Sequence, residues 1–261
     1  MSDQSVVVET RAGAIWVTLN RPAALNAITP DVIAGINAAL DLVDDPSIIA
    51  VVLMGTGRAF CSGADLKFVN RTSQSEEGAT AQFLKSLLAM MARLEACPRP
   101  VIAAVNGLAL AGGLELVLCC DLVIAARSSK LGDAHGNFGL IPGGGGSVRL
   151  PRKIGPTRAK YLMFTGEFLP ADELIACGLV NEVVDDADLT AAAERLVAKL
   201  ASKSSLVLRR MKTLVDNGLE QPQDVALRFE LLACELHTHS HDMKEGLSAF
   251  QEKRKPVFLG S

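Results

Sequence analysis

Val105-Asn106-Gly107-Leu108-Ala109-Leu110-Ala111-Gly112-Gly113-Leu114-Glu115-Leu116-Val117-Leu118-Cys119-Cys120-Asp121 places a single carboxylate inside an otherwise apolar run. Leu114 to Cys120 reads as a short buried helix, and the Gly112-Gly113 pair at its start leaves backbone N–H groups open to a closely approaching ligand. An ionised carboxylate in such surroundings costs several kcal/mol unless it is paired or protonated, so Glu115 is a candidate functional acid. The bland alternative is a glutamate on an exposed edge, or one met by an arginine; this stretch alone leaves both readings open.

Outward from this segment, strand-like and helical patterns alternate. Val101–Val105 precedes it and Leu122–Ala126 follows, both apolar and of strand length, as is the run from Ile48 to Met54. Near the start, Val6–Val8 and Ile15–Leu19 read as a β-hairpin across Arg-Ala-Gly. Thr29-Pro30-Asp31 is an N-cap followed by proline at the first helical position, opening an amphipathic helix through Val43. A second helix spans Ala81 to Ala96, stopped by Pro98 and Pro100, and Arg71 to Thr80 between them is polar enough to predict a mobile surface loop. Buried strands alternating with helices predict an α/β fold with largely parallel pairing. No repeat of fixed period aligns. From about Leu189 the chain turns helical throughout, which divides it into a core, residues 1–195, and a helical C-terminal region, residues 196–261.

Composition narrows the function classes. The 261 residues are 49% apolar and 21% charged with a formal net charge of −3, which gives no electrostatic reason to expect nucleic acid or an anionic membrane as partner. Six cysteines without a CxxC pair, no signal-peptide pattern and no membrane-length apolar run lead to the expectation of a reduced, cytoplasmic protein.

The candidate motifs differ in weight. Four glycines at 143–146 lack both the dinucleotide spacing and a following Gly-Lys-Ser/Thr. His237, His239 and His241 lack the glutamate of a zinc helix and read as a solvated face, so no metal is expected. Ser62 stands outside any GxSxG elbow, and Asp133 reads as a turn carboxylate. His135, between Ala134 and Gly136 and two residues from Asp133, is a natural acid/base near neutral pH, although a hydrogen-bonded loop histidine is the ordinary alternative.

Six blocks in order then resemble the enoyl-CoA hydratase/isomerase (crotonase) superfamily: Thr18–Pro22 with Ala24–Ala27, Phe60–Leu66, Asn106 to Asp121, Gly139–Gly143, Ala176–Val180 and Glu252–Pro256. The resemblance implies an α/β spiral of repeated ββα units with a C-terminal helical trimerisation region, assembled as a homotrimer or dimer of trimers and acting on acyl-CoA thioesters. Coenzyme A arrives with the substrate, so no separate cofactor is implied. By the same resemblance, the N–H groups of Ser62 and Gly112 form an oxyanion hole. Ala24, Ala64, Asp65 and Leu66 fall at the coenzyme A contacts, and Phe68 falls on the acyl-pocket wall. Glu115 matches the glutamate that activates water. The second glutamate of family hydratases aligns with His135, which implies hydration of a 2-enoyl-CoA with His135 as proton donor or polar anchor. Double-bond migration or hydrolysis of the same thioester is the alternative, and a non-catalytic acyl-CoA- or RNA-binding scaffold fits Glu115 less naturally.

Overall fold

The computed structural model describes residues 4–75 and 78–261. The chain runs β1 (Val6–Arg11), β2 (Ala14–Leu19), α1 (Pro30–Leu40), β3 (Ala50–Gly55), β4 (Ala59–Cys61), α2 (Leu66–Ser75), α3 (Ala79–Glu95), β5 (Val101–Val105), β6 (Leu108–Leu110), α4 (Gly112–Leu118), β7 (Leu122–Ala126) and β8 (Lys130–Gly132). It continues with α5 (Gly146–Ile154), α6 (Pro156–Thr165), β9 (Leu169–Pro170), β10 (Glu182–Val184), α7 (Leu189–Ala201), α8 (Ser205–Gly218), α9 (Gln223–His237) and α10 (His241–Glu252).

Two sheets explain the spiral. One has the order β1-β2-β3-β5-β7-β10, the other β4-β6-β8-β9. Each turn of the chain adds a longer strand to the first sheet and a short strand to the second: β3 then β4, β5 then β6, β7 then β8. Successive turns pair in parallel, Val51 against Val101, Ile102 against Leu122 and Leu108 against Lys130. The geometry repeats although the residues do not, because stacking turns need only apolar strands and tight corners. The antiparallel β1–β2 hairpin closes one end, turning at Ala12 and Gly13, both at positive φ.

The strands look uniformly apolar because both faces of the first sheet are covered. Val51, Leu53, Val101, Ala103 and Val123 join the main core with α1 and α3. Their alternates Val52, Ile102, Ala104 and Ile124 pack with Trp16 against Leu189, Ala192, Ala193 and Val197 of α7. The 195/196 division therefore falls inside α7, a helix that covers the sheet; the more separate helices begin with α8. Cutting into that contact should be costly, since a buried leucine truncated to alanine loses about 2–5 kcal/mol. Leu189→Ala is expected to lower the thermal midpoint while leaving catalysis at the folded temperature unchanged.

The polar stretch 71–80 requires a correction. Residues 71–75 continue α2 and residues 79–80 open α3, while residues 76–77 lie outside the described residues. The helix is held at its start, where Asp65 Oδ1 accepts the N–H groups of Lys67 (3.1 Å) and Phe68 (3.2 Å), and it packs through Phe68 and Val69. So short an apolar stripe leaves little periodicity to read. Among the described residues, no helix is long and apolar enough to cross a membrane.

Candidate active site

Helix α4 carries Glu115 into the core, where it is 1% exposed. Gly113 makes the placement possible: a Cβ there would collide with the Cys61 carbonyl, so only glycine lets α4 start against the end of β4. The preceding Ala111 sits at φ 49° and ψ −118°, a strained conformation for a residue with a side chain. It is anchored by its N–H on Gly132 O at 3.0 Å.

Among the described residues, no arginine pairs with Glu115. Its Oε1 accepts the N–H groups of Gly144 (2.9 Å) and Gly146 (2.8 Å), which gives the glycine run a role other than phosphate binding. Arg149 fixes that run, donating to Gly144 O at 2.7 Å while bound through Nε and Nη2 to Glu95 on α3. Burial pushes the Glu115 carboxyl above its ordinary value, opposed by the Gly146 N–H, the His135 charge and the Gly144 N–H. The result is a carboxylate held in one orientation and made more basic than usual.

A Cβ on Gly144 would lie 2.6 Å from Glu115 Oε2 and crowd Met91. Gly144→Ala is therefore expected to displace the carboxylate and reduce turnover about 10- to 100-fold, with circular dichroism unchanged. A wild-type rate in that variant would show that the glycine run does not position Glu115.

His135 and Asp133 share the site. His135 Nδ1 lies 3.1 Å from Asp133 Oδ1, and the ring is 11% exposed. Burial lowers the imidazole pKa, but the hydrogen bond and charge of Asp133 and the charge of Glu115 outweigh it, so the net direction is upward.

Ser62 is placed otherwise than expected. Its N–H donates to Leu25 O at 3.0 Å and is not free to receive a substrate oxygen. Two residues on, the Ala64 N–H has no acceptor among the described residues, and neither has the Gly112 N–H at the first position of α4. They belong to one corner: a Cβ on Gly112 would stand 3.4 Å from Ala64 N and 3.2 Å from Gly63 Cα. Gly63, at φ +102°, makes the turn that presents Ala64. Among the described residues, the N–H groups left without an acceptor at this corner are thus those of Ala64 and Gly112. The sequence does not distinguish Ser62 from Ala64, because a two-residue offset within Cys61-Ser62-Gly63-Ala64 depends on where the carbonyls of the neighbouring loop fall.

The remaining expected contacts are dispersed around this corner. Ala24 ends an exposed helical turn at Pro22–Ala24, and Leu66 is the exposed first residue of α2. The Asp65 carboxylate is occupied, capping α2 and pairing with Arg21 at 3.0 Å, so its side chain is structural. Phe68 packs on Phe83 with ring centroids 5.2 Å apart. The histidine cluster near the C-terminus is dispersed among protein partners: His237 Nδ1 lies 2.7 Å from Arg210 Nη1, and His241 Nδ1 lies 3.3 Å from Asp242. Among the described residues, no three metal-ligating side chains converge.

Residues 9–261 match the family model described as enoyl-CoA hydratase/isomerase. The chain belongs to this family. A crotonyl-CoA hydratase from Syntrophomonas wolfei is 38% identical, with 99% of both chains covered. A short-chain-enoyl-CoA hydratase from Clostridium acetobutylicum is 35% identical over 98% of this chain and 97% of its own. Among solved structures, an enoyl-CoA hydratase from Bacillus anthracis superposes with a TM-score of 0.93 at 36% identity, covering 99% of this chain and all of its own. Membership of the enoyl-CoA hydratase/isomerase family agrees with the two-sheet spiral and its parallel turns.

Proposed function

We propose that the protein hydrates a 2-enoyl-CoA thioester, with Glu115 as the base. The observation that carries this reading is the location of Glu115 on the helix that begins at Gly112, beside Ala64, two residues whose N–H groups have no acceptor among the described residues. A thioester carbonyl between those donors would bring its unsaturated carbons beside a buried, oriented carboxylate. Glu115 removes a proton from water as the oxygen bonds to the β-carbon. The electron pair of the double bond moves toward the carbonyl, and the enolate oxygen is stabilised by the two N–H groups. His135 delivers a proton to the α-carbon, completing addition of one water. Glu115 and His135 then recover their starting protonation by exchange with solvent. The names of relatives such as the crotonyl-CoA hydratase support a short-chain substrate.

Incubation with crotonyl-CoA and longer 2-enoyl-CoA thioesters, with products resolved by mass, tests the proposal. The expected product is heavier by one water. An unchanged mass with a migrated double bond would assign isomerisation instead, and release of free coenzyme A would assign hydrolysis.

Helices α8 and α9 present Met211, Val215, Leu227, Phe229 and Leu232 outward, each more than half exposed. A homotrimer, or a dimer of trimers, would bury this face. The expected solution mass is that of three or six chains by light scattering, and a monomer at micromolar concentration would refute the assembly.

A further inference from the structure

In the sequence Asp133 reads as a turn carboxylate; the structure gives it a different setting. It is 2% exposed, and among the described residues no lysine or arginine pairs with it. Oδ1 is committed to His135, accepting its backbone N–H at 3.3 Å and lying 3.1 Å from ring Nδ1. Oδ2 is buried and has no partner among the described residues. It points at the catalytic corner: a Cβ on Gly146 would lie 3.4 Å from Asp133 Oδ2 and 3.2 Å from Glu115 Oε1, so the two carboxylates converge on one point. The intervening Ala134 is held at φ +59°, which folds His135 back onto the carboxylate and brings its N–H to 2.8 Å from Asp133 O.

A carboxylate that only closed a turn would place both oxygens on backbone donors or in solvent. This one spends one oxygen on an imidazole and buries the other beside a second acid. Two buried carboxylates without a cation are unfavourable, and the positive form of His135 is the group that makes the arrangement stable. We propose that Asp133 is a positioning residue of the reaction: its carboxylate holds His135 through Nδ1 as the imidazolium, leaving Nε2 to deliver the proton to the α-carbon.

The Asp133–His135 pair thereby does the work of a second acid, a proton donor restrained at one nitrogen and free at the other. This inference rests on the hydratase reading above for its chemistry, but not for its geometry. The charged groups bearing on the ring are Asp133 on its own loop and Glu115 from α4. Arg149 on α5, which donates to Gly144 O in the glycine run, is engaged by Glu95 and so does not replace the imidazolium. The direction of the His135 shift agrees with the geometry, since desolvation alone would have discharged the ring.

Two measurements test the proposal. The first follows the His135 imidazole by NMR across pH, its resonance assigned by its loss in His135→Gln. In the wild type the midpoint should lie above the ordinary histidine value of about 6.5, and in Asp133→Asn, which keeps an acceptor oxygen and removes the charge, it should fall by about one pH unit. A wild-type midpoint at or below the ordinary value, or an unmoved midpoint in Asp133→Asn, overturns the proposal. The second measures kcat against pH with crotonyl-CoA. Asp133→Asn should lower kcat about tenfold or more with KM within about twofold, and its alkaline limb should move down with the NMR midpoint. Asp133→Glu should restore part of the rate and the limb. A rate loss with an unshifted limb marks a purely structural aspartate and also overturns the proposal. The titration needs no turnover, so absence of hydration by the wild type would sink the hydratase reading while the NMR result still decides the role of Asp133.

Discussion

Glu115→Gln is expected to abolish hydration of a 2-enoyl-CoA, reducing kcat by about three orders of magnitude or more, with the fold retained. The magnitude follows from the role: a positioned general base contributes about 10²–10⁴-fold, and a buried amide cannot substitute for it. Retention of the fold follows from the energetics. The folded-state pKa of Glu115 is raised, so the native protein binds this proton more tightly than the unfolded chain does. That contribution is favourable below the ordinary glutamate value and is lost as pH rises through the raised one, leaving the ionised side chain a net cost at neutral pH. The glutamine carbonyl can still accept the Gly144 and Gly146 N–H groups, so at pH 7 the variant should unfold at the same temperature as the wild type or higher. In the wild type, the acid limb of kcat/KM should lie above the ordinary carboxylate range, for the same reason. Turnover near the wild-type rate in Glu115→Gln, or an acid limb at the ordinary glutamate value, would remove Glu115 as the base.

Much of this architecture is legible in the chain because it depends on local pattern. The apolar strands at 51–54 and 101–105, the capped helix at Pro30 and the apolar run around Glu115 each carry their cause within a few residues, although that run alone leaves the burial of Glu115 open. The partners of Glu115 do not. Gly144 and Gly146 lie some thirty residues downstream, and a glycine run shows that backbone must come close to something without showing what. The role of Asp133 is hidden for a related reason: the sequence Asp-Ala-His is compatible with an ordinary turn, and only the positive φ of Ala134 brings the ring onto the carboxylate. The α2 segment past Arg71 reads as a loop in the sequence because its helix is specified by one cap and two packed side chains rather than by a sustained stripe.

The donor pair gives the second large expected effect, and it separates Ala64 from Ser62. Replacing the Gly63–Ala64 amide by an ester, with lactic acid at position 64, deletes that N–H and keeps the side chain. The developing charge on the thioester oxygen would lose one of two donors, and kcat should fall about 10²–10³-fold, the loss seen when one oxyanion donor is removed. The same exchange at Ser62 should leave kcat within about threefold, because that N–H serves Leu25 O at 3.0 Å and its loss is felt as stability, about 1 kcal/mol. The ester at 64 also weakens the Gly63 carbonyl, which accepts the Ile28 N–H at 2.8 Å, so some stability is lost there too. Rate and thermal midpoint must therefore be read separately: both esters lower the midpoint, but only the one at 64 should lower kcat at a temperature where each variant is folded. Equal rate losses at the two positions, or a larger one at Ser62, would return the oxyanion role to Ser62 and require the Leu25 contact to open when substrate binds.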